Sequence, residues 1–275
     1  MIEDMYFSSS MLFHYTKLQT ALELILTSMQ LRFSSFRNVN DPHERGYKSL
    51  SLNWTNREPI DESLIDYNKY QREVDSIRQD ESKLLCFSKN TSTIVKTGSS
   101  VLDTDLYYKT GFFKMRMWAQ YGDLHRGLCL AFSRDEMVEE IKKEYGEFKL
   151  YRGDIKYKDS SLDMRKAYHI ELNNKALENF REFFISEHLI KHRDDLFFTK
   201  NTDWRDEFEY RLLLLTDNMK SDYFVQIKNS LKAVFCGLDF PDVYMSALRN
   251  LLKYTDVEIY KLDLSNGVPS VMQVN

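Results

Sequence analysis

The chain predicts an α+β fold: one domain over residues 1–275, with a mixed or antiparallel β core and surrounding helices. Three observations predict it. Strand-like and helical segments follow one another in irregular order, unlike the regular alternation of a doubly wound parallel sheet. Only nine Gly and four Pro occur, and no Pro/Gly/Ser-rich linker divides the chain. The last third is dominated by short apolar runs of strand length.

The elements read in order as follows. After Phe13-His14-Tyr15, Thr16 and Gln19 form a capping-box pattern, so a helix is expected from Thr16, with Leu18, Leu22, Ile25, Leu26 and Met29 on its apolar face. Leu31-Arg32-Phe33 reads as a short strand. Asp41-Pro42-His43-Glu44 signals a helix start, with an N-cap acid, Pro at the first position and Glu completing the box. A charged helix is expected over 61–82, a strand over 83–88, and a mobile loop over the polar stretch 89–105.

A helix through Met115, Trp118 and Ala119 leads to the turn Gly122-Asp123. The strand 127–132 and a helix opened by Ser133-Arg134-Asp135-Glu136 and closed by Gly146 come next. Strand residues over 148–157 precede a long helical region over 162–196. The remaining strands are expected at 208–215, 223–227, 231–236 and 257–262, interrupted by a helix over 241–252.

Several function classes are excluded or disfavoured at this level. The chain contains no GxxxxGK[ST], GxGxxG or GxSxG, which argues against P-loop, Rossmann and α/β-hydrolase chemistry. A net charge of -4 argues against a surface coated for nonspecific nucleic-acid binding. The basic residues between Lys142 and Lys166 are interleaved with acids and read as a solvated face. Three cysteines among apolar neighbours, without CxxC or Cys/His spacing, read as buried reduced thiols. With no signal-peptide pattern and no apolar run of membrane-spanning length, a cytoplasmic protein without membrane contact is expected.

Four segments stand out as carriers of chemistry: His14-Tyr15-Thr16; Asn40-Asp41-Pro42-His43-Glu44; Cys86-Phe87-Ser88 followed by the run from Met117 to Gly127; and the run from Trp204 to Arg211. Together they resemble a bacterial family known mainly as a domain of unknown function, with motifs HYT, NDPxE, CFS, MWAxYxDxHxG and WxxExExR. The resemblance covers about residues 13–237.

More weakly, the order of parts is similar to the ADP-ribosyltransferase superfamily, whose members split NAD and modify nucleic acids or proteins. That resemblance implies His14 and its neighbours Tyr15 and Thr16 at the adenine-side ribose. Ser88 closes the strand before the loop. Tyr121 or Trp118 stacks on nicotinamide, Glu207 or Glu209 is the catalytic acid, and Arg211 keeps an acid ionised. His-Tyr-Thr stands here where the superfamily more often has His-Gly-Thr.

The physics suits such a reaction. Losing nicotinamide develops an oxocarbenium-like ribose, and a carboxylate in a water-poor pocket is a strong lever on that charge. An aromatic face beside the cationic ring adds about 0.5–2 kcal/mol. In a strand Glu207, Glu209 and Arg211 share one face, with the carboxylates roughly 6.5–7 Å apart along the chain.

Plainer readings stand beside these. His14 and Trp118 read equally as core residues, Thr16 as a helix cap, and Asp41 with Glu44 as cap and capping-box partner. Glu207, Glu209 and Arg211 read as a strand face with cross-strand ion pairs.

The expected function is an ADP-ribosyltransferase-like enzyme with NAD as substrate and a nucleic-acid or protein acceptor, suited to toxin or anti-phage conflict. One alternative is a non-catalytic nucleotide- or protein-binding sensor module using Arg126, Lys200 and Arg211. A third is a metal-dependent nuclease or phosphoesterase, which requires convergence of Asp41, His43 and Glu44 with Asp123 or His125; no metal ligand is assigned.

Overall fold

A computed structural model of the protein describes residues 4–54, 65–91, 106–159, 165–217 and 222–274. Its core is a ten-stranded sheet. Strands β1 (Met11–Thr16), β2 (Gln30–Ser35), β4 (Ser82–Lys89), β5 (Leu128–Ser133) and β6 (Lys149–Asp154) belong to it. So do β10 (Glu209–Leu215), β11 (Tyr223–Gln226), β12 (Leu231–Cys236), β13 (Glu258–Ser265) and β14 (Val268–Gln273). Two small parallel pairs lie apart: β3 (Ser51–Trp54) with β8 (His169–Leu172), and β7 (Lys156–Tyr157) with β9 (Thr199–Lys200). Among the described residues of the large sheet, β12 and β13 alone run parallel; the other pairings are antiparallel, giving the mixed core of an α+β fold.

Strand β4 organises the sheet. One edge is fully paired with β10, seven residues from Glu209↔Ser88 to Leu215↔Ser82. The other edge is divided. Ser34 and Ser35 of β2 pair with Leu84 and Lys83, while Leu12 and Phe13 of β1 pair with Lys89 and Ser88. Between these contacts β1 and β2 part, leaving a fork beside residues 85–87. Beyond Phe13, β1 continues to pair with β5 as far as Thr16↔Leu128.

Side-chain alternation sends residues to opposite faces of each strand. Leu12, Leu85, Phe87, Leu130, Leu212, Leu214 and Val234 all join one apolar cluster, which also takes Met137, Val138 and Ile141 from the helix Arg134–Tyr145. The opposite face carries two clusters instead of one. Leu84, Leu213 and Leu215 pack with Phe184, Leu196 and Phe197 over the β4–β10 half. Phe13, Tyr15, Cys129, Ala131 and Phe235 pack with Phe112 and Trp118 over the β1–β5–β12 half. Covering on both faces explains why β10 is buried along its whole length and reads as a continuous apolar run.

Several expectations are corrected. Thr16 ends β1 rather than capping a helix, and Gln19 turns its amide to Glu23. The long helical region over 162–196 is broken: Ile170 lies in β8, and helix resumes at Asn174. Strands β3, β8, β9 and β14 are unforeseen. Most of the expected loop (92–105), the start of the charged helix (61–64) and the start of the long helical region (162–164) lie outside the described residues.

The join between β1, β5 and β12 depends on close backbone approach. A Cβ on Gly127 would lie 2.3 Å from the Thr16 carbonyl oxygen, and one on Gly237 would lie 2.1 Å from the His125 carbonyl oxygen. Asp123, Leu124 and His125 between them adopt positive φ, which L-residues enter at a cost. Gly237→Ala is therefore expected to destabilise the protein by about 1–3 kcal/mol. A melting temperature equal to wild type would show that the 122–127 turn yields.

Candidate functional site

The site forms at the fork, where side chains from both sheet faces meet: His14 and Phe87 come from the Leu12 side, and Cys86, Glu209 and Arg211 from the Leu213 side. A cavity of about 210 Å³ lies there, lined by residues of β1, β2, β4 and β10, the 38–40 segment, the helix Met115–Tyr121 and Lys200. His14 is the first residue of β1 beyond its last pairing with β4. Its Nδ1 lies 3.1 Å from the Cys86 carbonyl oxygen. A carbonyl only accepts, so Nδ1 carries the proton and Nε2 is left as an acceptor. Burial lowers the His14 pKa, against the opposing effect of that hydrogen bond, and keeps the ring neutral.

The acids come from the segment after β9. Asn201 caps the 3-10 helix Thr202–Glu207, accepting from the Asp203 amide at 2.9 Å. Phe208 follows with φ 46°, and β10 begins at Glu209. Glu207 thus precedes the strand instead of sharing it with Glu209 and Arg211, which corrects the expected three-residue alternation. The left-handed residue nevertheless brings both carboxylates to one nitrogen: Lys200 Nζ lies 2.7 Å from Glu207 Oε2 and 2.8 Å from Glu209 Oε2. Ser88 Oγ donates to the Glu207 carbonyl at 2.8 Å, and the Glu209 amide donates to Tyr157 Oη at 2.9 Å.

Arg211 completes the cluster. It is wholly buried, donates to Glu209, and forks onto Glu44 with Nη1–Oε1 at 2.6 Å and Nη2–Oε2 at 2.8 Å. Sequence reading assigned Glu44 to a capping box. Asp41 does cap the helix Pro42–Arg45, accepting from the His43 amide at 2.8 Å, but the Glu44 carboxylate serves Arg211. Arg78 fixes the same turn, donating to the Glu44 and Gly46 carbonyls at 2.5 and 3.0 Å.

Three carboxylates therefore face Lys200 and Arg211, and burial pushes the Glu44 pKa up against the opposing effect of Arg211. Burial pushes the Glu209 pKa up, but Arg211 and Lys200 outweigh it and hold it at about 2. At neutral pH Glu209 is ionised.

Tyr121 closes the ring. Its helix is built from good helix formers and stops at Gly122. Arg116, on the same helix, donates to the Asp203 carbonyl at 3.0 Å and pairs with Asp206 at 3.6 Å, tying this helix to the Thr202–Glu207 turn. Tyr121 Oη donates to Glu207 Oε1 at 2.6 Å. Burial and the neighbouring Glu207 raise the phenol pKa, so it remains a donor.

The structure thus brings His14, Ser88, Tyr121, Glu207, Glu209 and Arg211 to one cavity, which Tyr15 also lines. It does not bring Thr16 or Trp118 there. Trp118 is core: its Nε1 donates to the Phe112 carbonyl at 2.9 Å, and its ring meets the Tyr15 ring edge-on at 5.0 Å. The Tyr15 hydroxyl is itself turned to the Gly111 carbonyl, 2.7 Å away. Of the two candidate stacking residues, Tyr121 is therefore the one that lines the cavity. Lys200 and Glu44 were visible in the sequence but not placed among the acids, and Asn40 and Cys86 also line the space. Among the described residues no three His, Cys, Asp or Glu side chains gather to hold a metal ion, and Glu44 is committed to Arg211.

Residues 117–212 match a family described as "Protein of unknown function (DUF2971)". The match contains Tyr121, Lys200, Glu207, Glu209 and Arg211, and stops short of His14, Glu44 and Ser88. No curated protein and no solved structure matches the chain. Among the described residues no helix is long and apolar enough to cross a membrane.

The ion cluster sets a sign for acid behaviour. The folded-state pKa of Glu209 is depressed from 4.5 to about 2. Its stabilisation is thus complete above the unfolded value and lost as pH falls towards 2. Glu209→Gln is expected to be less stable than wild type at pH 7, with the difference narrowing as pH drops from about 4.5 towards 2. Denaturant titrations of both proteins at several pH values check this. A difference independent of pH would show that the carboxylate is not ion-paired in the fold.

Proposed function

We propose that this cleft binds NAD and that the protein is an ADP-ribosyltransferase-like enzyme transferring ADP-ribose to a nucleic-acid or protein acceptor. One observation carries the reading: His14 from a strand, Tyr121 from a helix and Glu209 from the start of a late strand line a single cavity. The neutral imidazole offers Nε2 to a ribose hydroxyl. Tyr121 supplies an aromatic group beside the acids. Ionised Glu209 opposes the positive charge that grows on the ribose as nicotinamide leaves.

The cavity volume is below the roughly 300–1,000 Å³ usual for a whole small-molecule ligand. A dinucleotide therefore enters by one end, with the rest lying along the mouth near Asn38 and Asn40.

A second reading, a binding module without turnover, is favoured by the pairing of Glu207 and Glu209 with Lys200 and Arg211. Acids already engaged by protein cations need no chemistry to explain their burial.

The two readings separate experimentally. For the enzyme, NAD raises the melting temperature and nicotinamide appears when protein, NAD and bacterial lysate are mixed. Glu209→Gln retains the thermal shift but loses release by at least about 100-fold, while His14→Ala loses much of the shift. A thermal shift without nicotinamide release from wild type selects the binding module. No shift and no release eliminates NAD as the ligand.

A further inference from the structure

We propose that Lys200 is the positioning residue of the cleft: its single ammonium clasps the Glu207 and Glu209 carboxylates together, so that an entering ligand meets two prearranged acids. The inference deepens the NAD reading and rests on it only where activity is measured.

The geometry is specific. Glu207 and Glu209 belong to different elements, separated by the left-handed Phe208. In the cluster, Lys200 Nζ is the one group bonded to both acids, at 2.7 and 2.8 Å. Other partners serve one acid each: Tyr121 Oη bonds Glu207, and Arg211 bonds Glu209 while sharing itself with Glu44. Glu44 Oε2 stands 3.9 Å from Lys200 Nζ, beyond hydrogen-bond reach. The Trp204 ring covers the ammonium at a centroid distance of 5.1 Å.

Lys200 has its own backbone anchor. It sits on the two-residue β9, paired with β7 rather than with the large sheet, and its carbonyl accepts from the Lys158 amide at 2.9 Å. Its side chain reaches the cleft, where it lines the cavity. Removing the ammonium leaves two buried carboxylates facing each other with Arg211 on one side only, and such unbalanced charge drives side chains apart or to new partners.

The test uses Lys200→Ala, which opens a channel the length of the lost stem, with n-propylammonium chloride as probe and potassium chloride as control. Lys200→Ala is expected to lose about 100-fold in kcat for nicotinamide release, with KM for NAD changed by less than about threefold. Added n-propylammonium restores about tenfold of the lost kcat and raises the melting temperature of Lys200→Ala but not of wild type. Lys200→Met, which keeps the stem and fills the channel, is expected to lose activity without rescue.

A Lys200→Met enzyme with wild-type kcat would overturn the proposal. So would n-propylammonium that neither stabilises Lys200→Ala nor restores its kcat. If wild type releases no nicotinamide, the enzyme reading fails on its own. The clasp is then decided by the thermal arm: selective stabilisation of Lys200→Ala upholds it, and no selectivity refutes it. If Lys200→Ala does not fold, Lys200→Met decides, through kcat where wild type is active. Where wild type is inactive, a Lys200→Met melting temperature equal to wild type refutes the clasp, and a clear drop upholds it.

Discussion

Arg211 dictates much of the architecture around the cleft. A guanidinium with no exposed surface, deep against a sheet, is tolerable only if its donors are matched and its charge met. Glu209 supplies one acid from the same strand, two residues away. Glu44 supplies the other from a turn 167 positions earlier in the chain, so the NDPxE segment is pinned over the sheet. The turn carries Asn38–Asn40 with it and so becomes one wall of the cavity. Lys200 then balances the remaining carboxylates. Breaking such a network by deleting one member costs about 3–5 kcal/mol, and the packing of Phe36 on Phe197 holds the same wall from its apolar side.

The cavity owes its existence to a division of one strand edge. A sheet in which β1 and β2 both stayed on β4 is impossible, because an edge holds one neighbour at a time. As β2 yields to β1, the backbone beside Cys86 is met by an imidazole instead of a strand. This explains why a His stands at a strand position surrounded by buried apolar residues: Leu12 and Phe13 before it pair with β4, and Tyr15 after it packs on Trp118.

Much of the fold was legible because its central elements announce themselves locally. The apolar run Leu212–Leu215, the alternating Leu128–Phe132 stretch and the Met137, Val138, Ile141 spacing each identify an element without outside context. What was hidden depended on distant partners. His169–Leu172 looks helical beside Leu177 and Phe180, yet it is a strand because Ser51–Trp54 lies alongside. Glu44 satisfies a local capping rule, but a buried cation elsewhere competes for its carboxylate and wins, since an unmet guanidinium costs more than an unmet backbone amide at a water-facing helix end. Lys200 was read only as a charge of the binding-module alternative, because its two-residue strand carries no pattern that places it between the acids. The candidates His14, Tyr121 and Glu209 came from a resemblance in the order of parts, and the structure brings them and Arg211 to one cavity, whereas Thr16 and Trp118 lie outside it.

The two apolar clusters on the cleft side of the sheet never merge; an ionic seam lies between them. The seam is not neutral ground: Arg211 lies 5.7 Å over the Phe36 ring and donates to the Phe197 carbonyl at 2.8 Å, so any exchange of charge at this position is felt first in the half that holds those two rings.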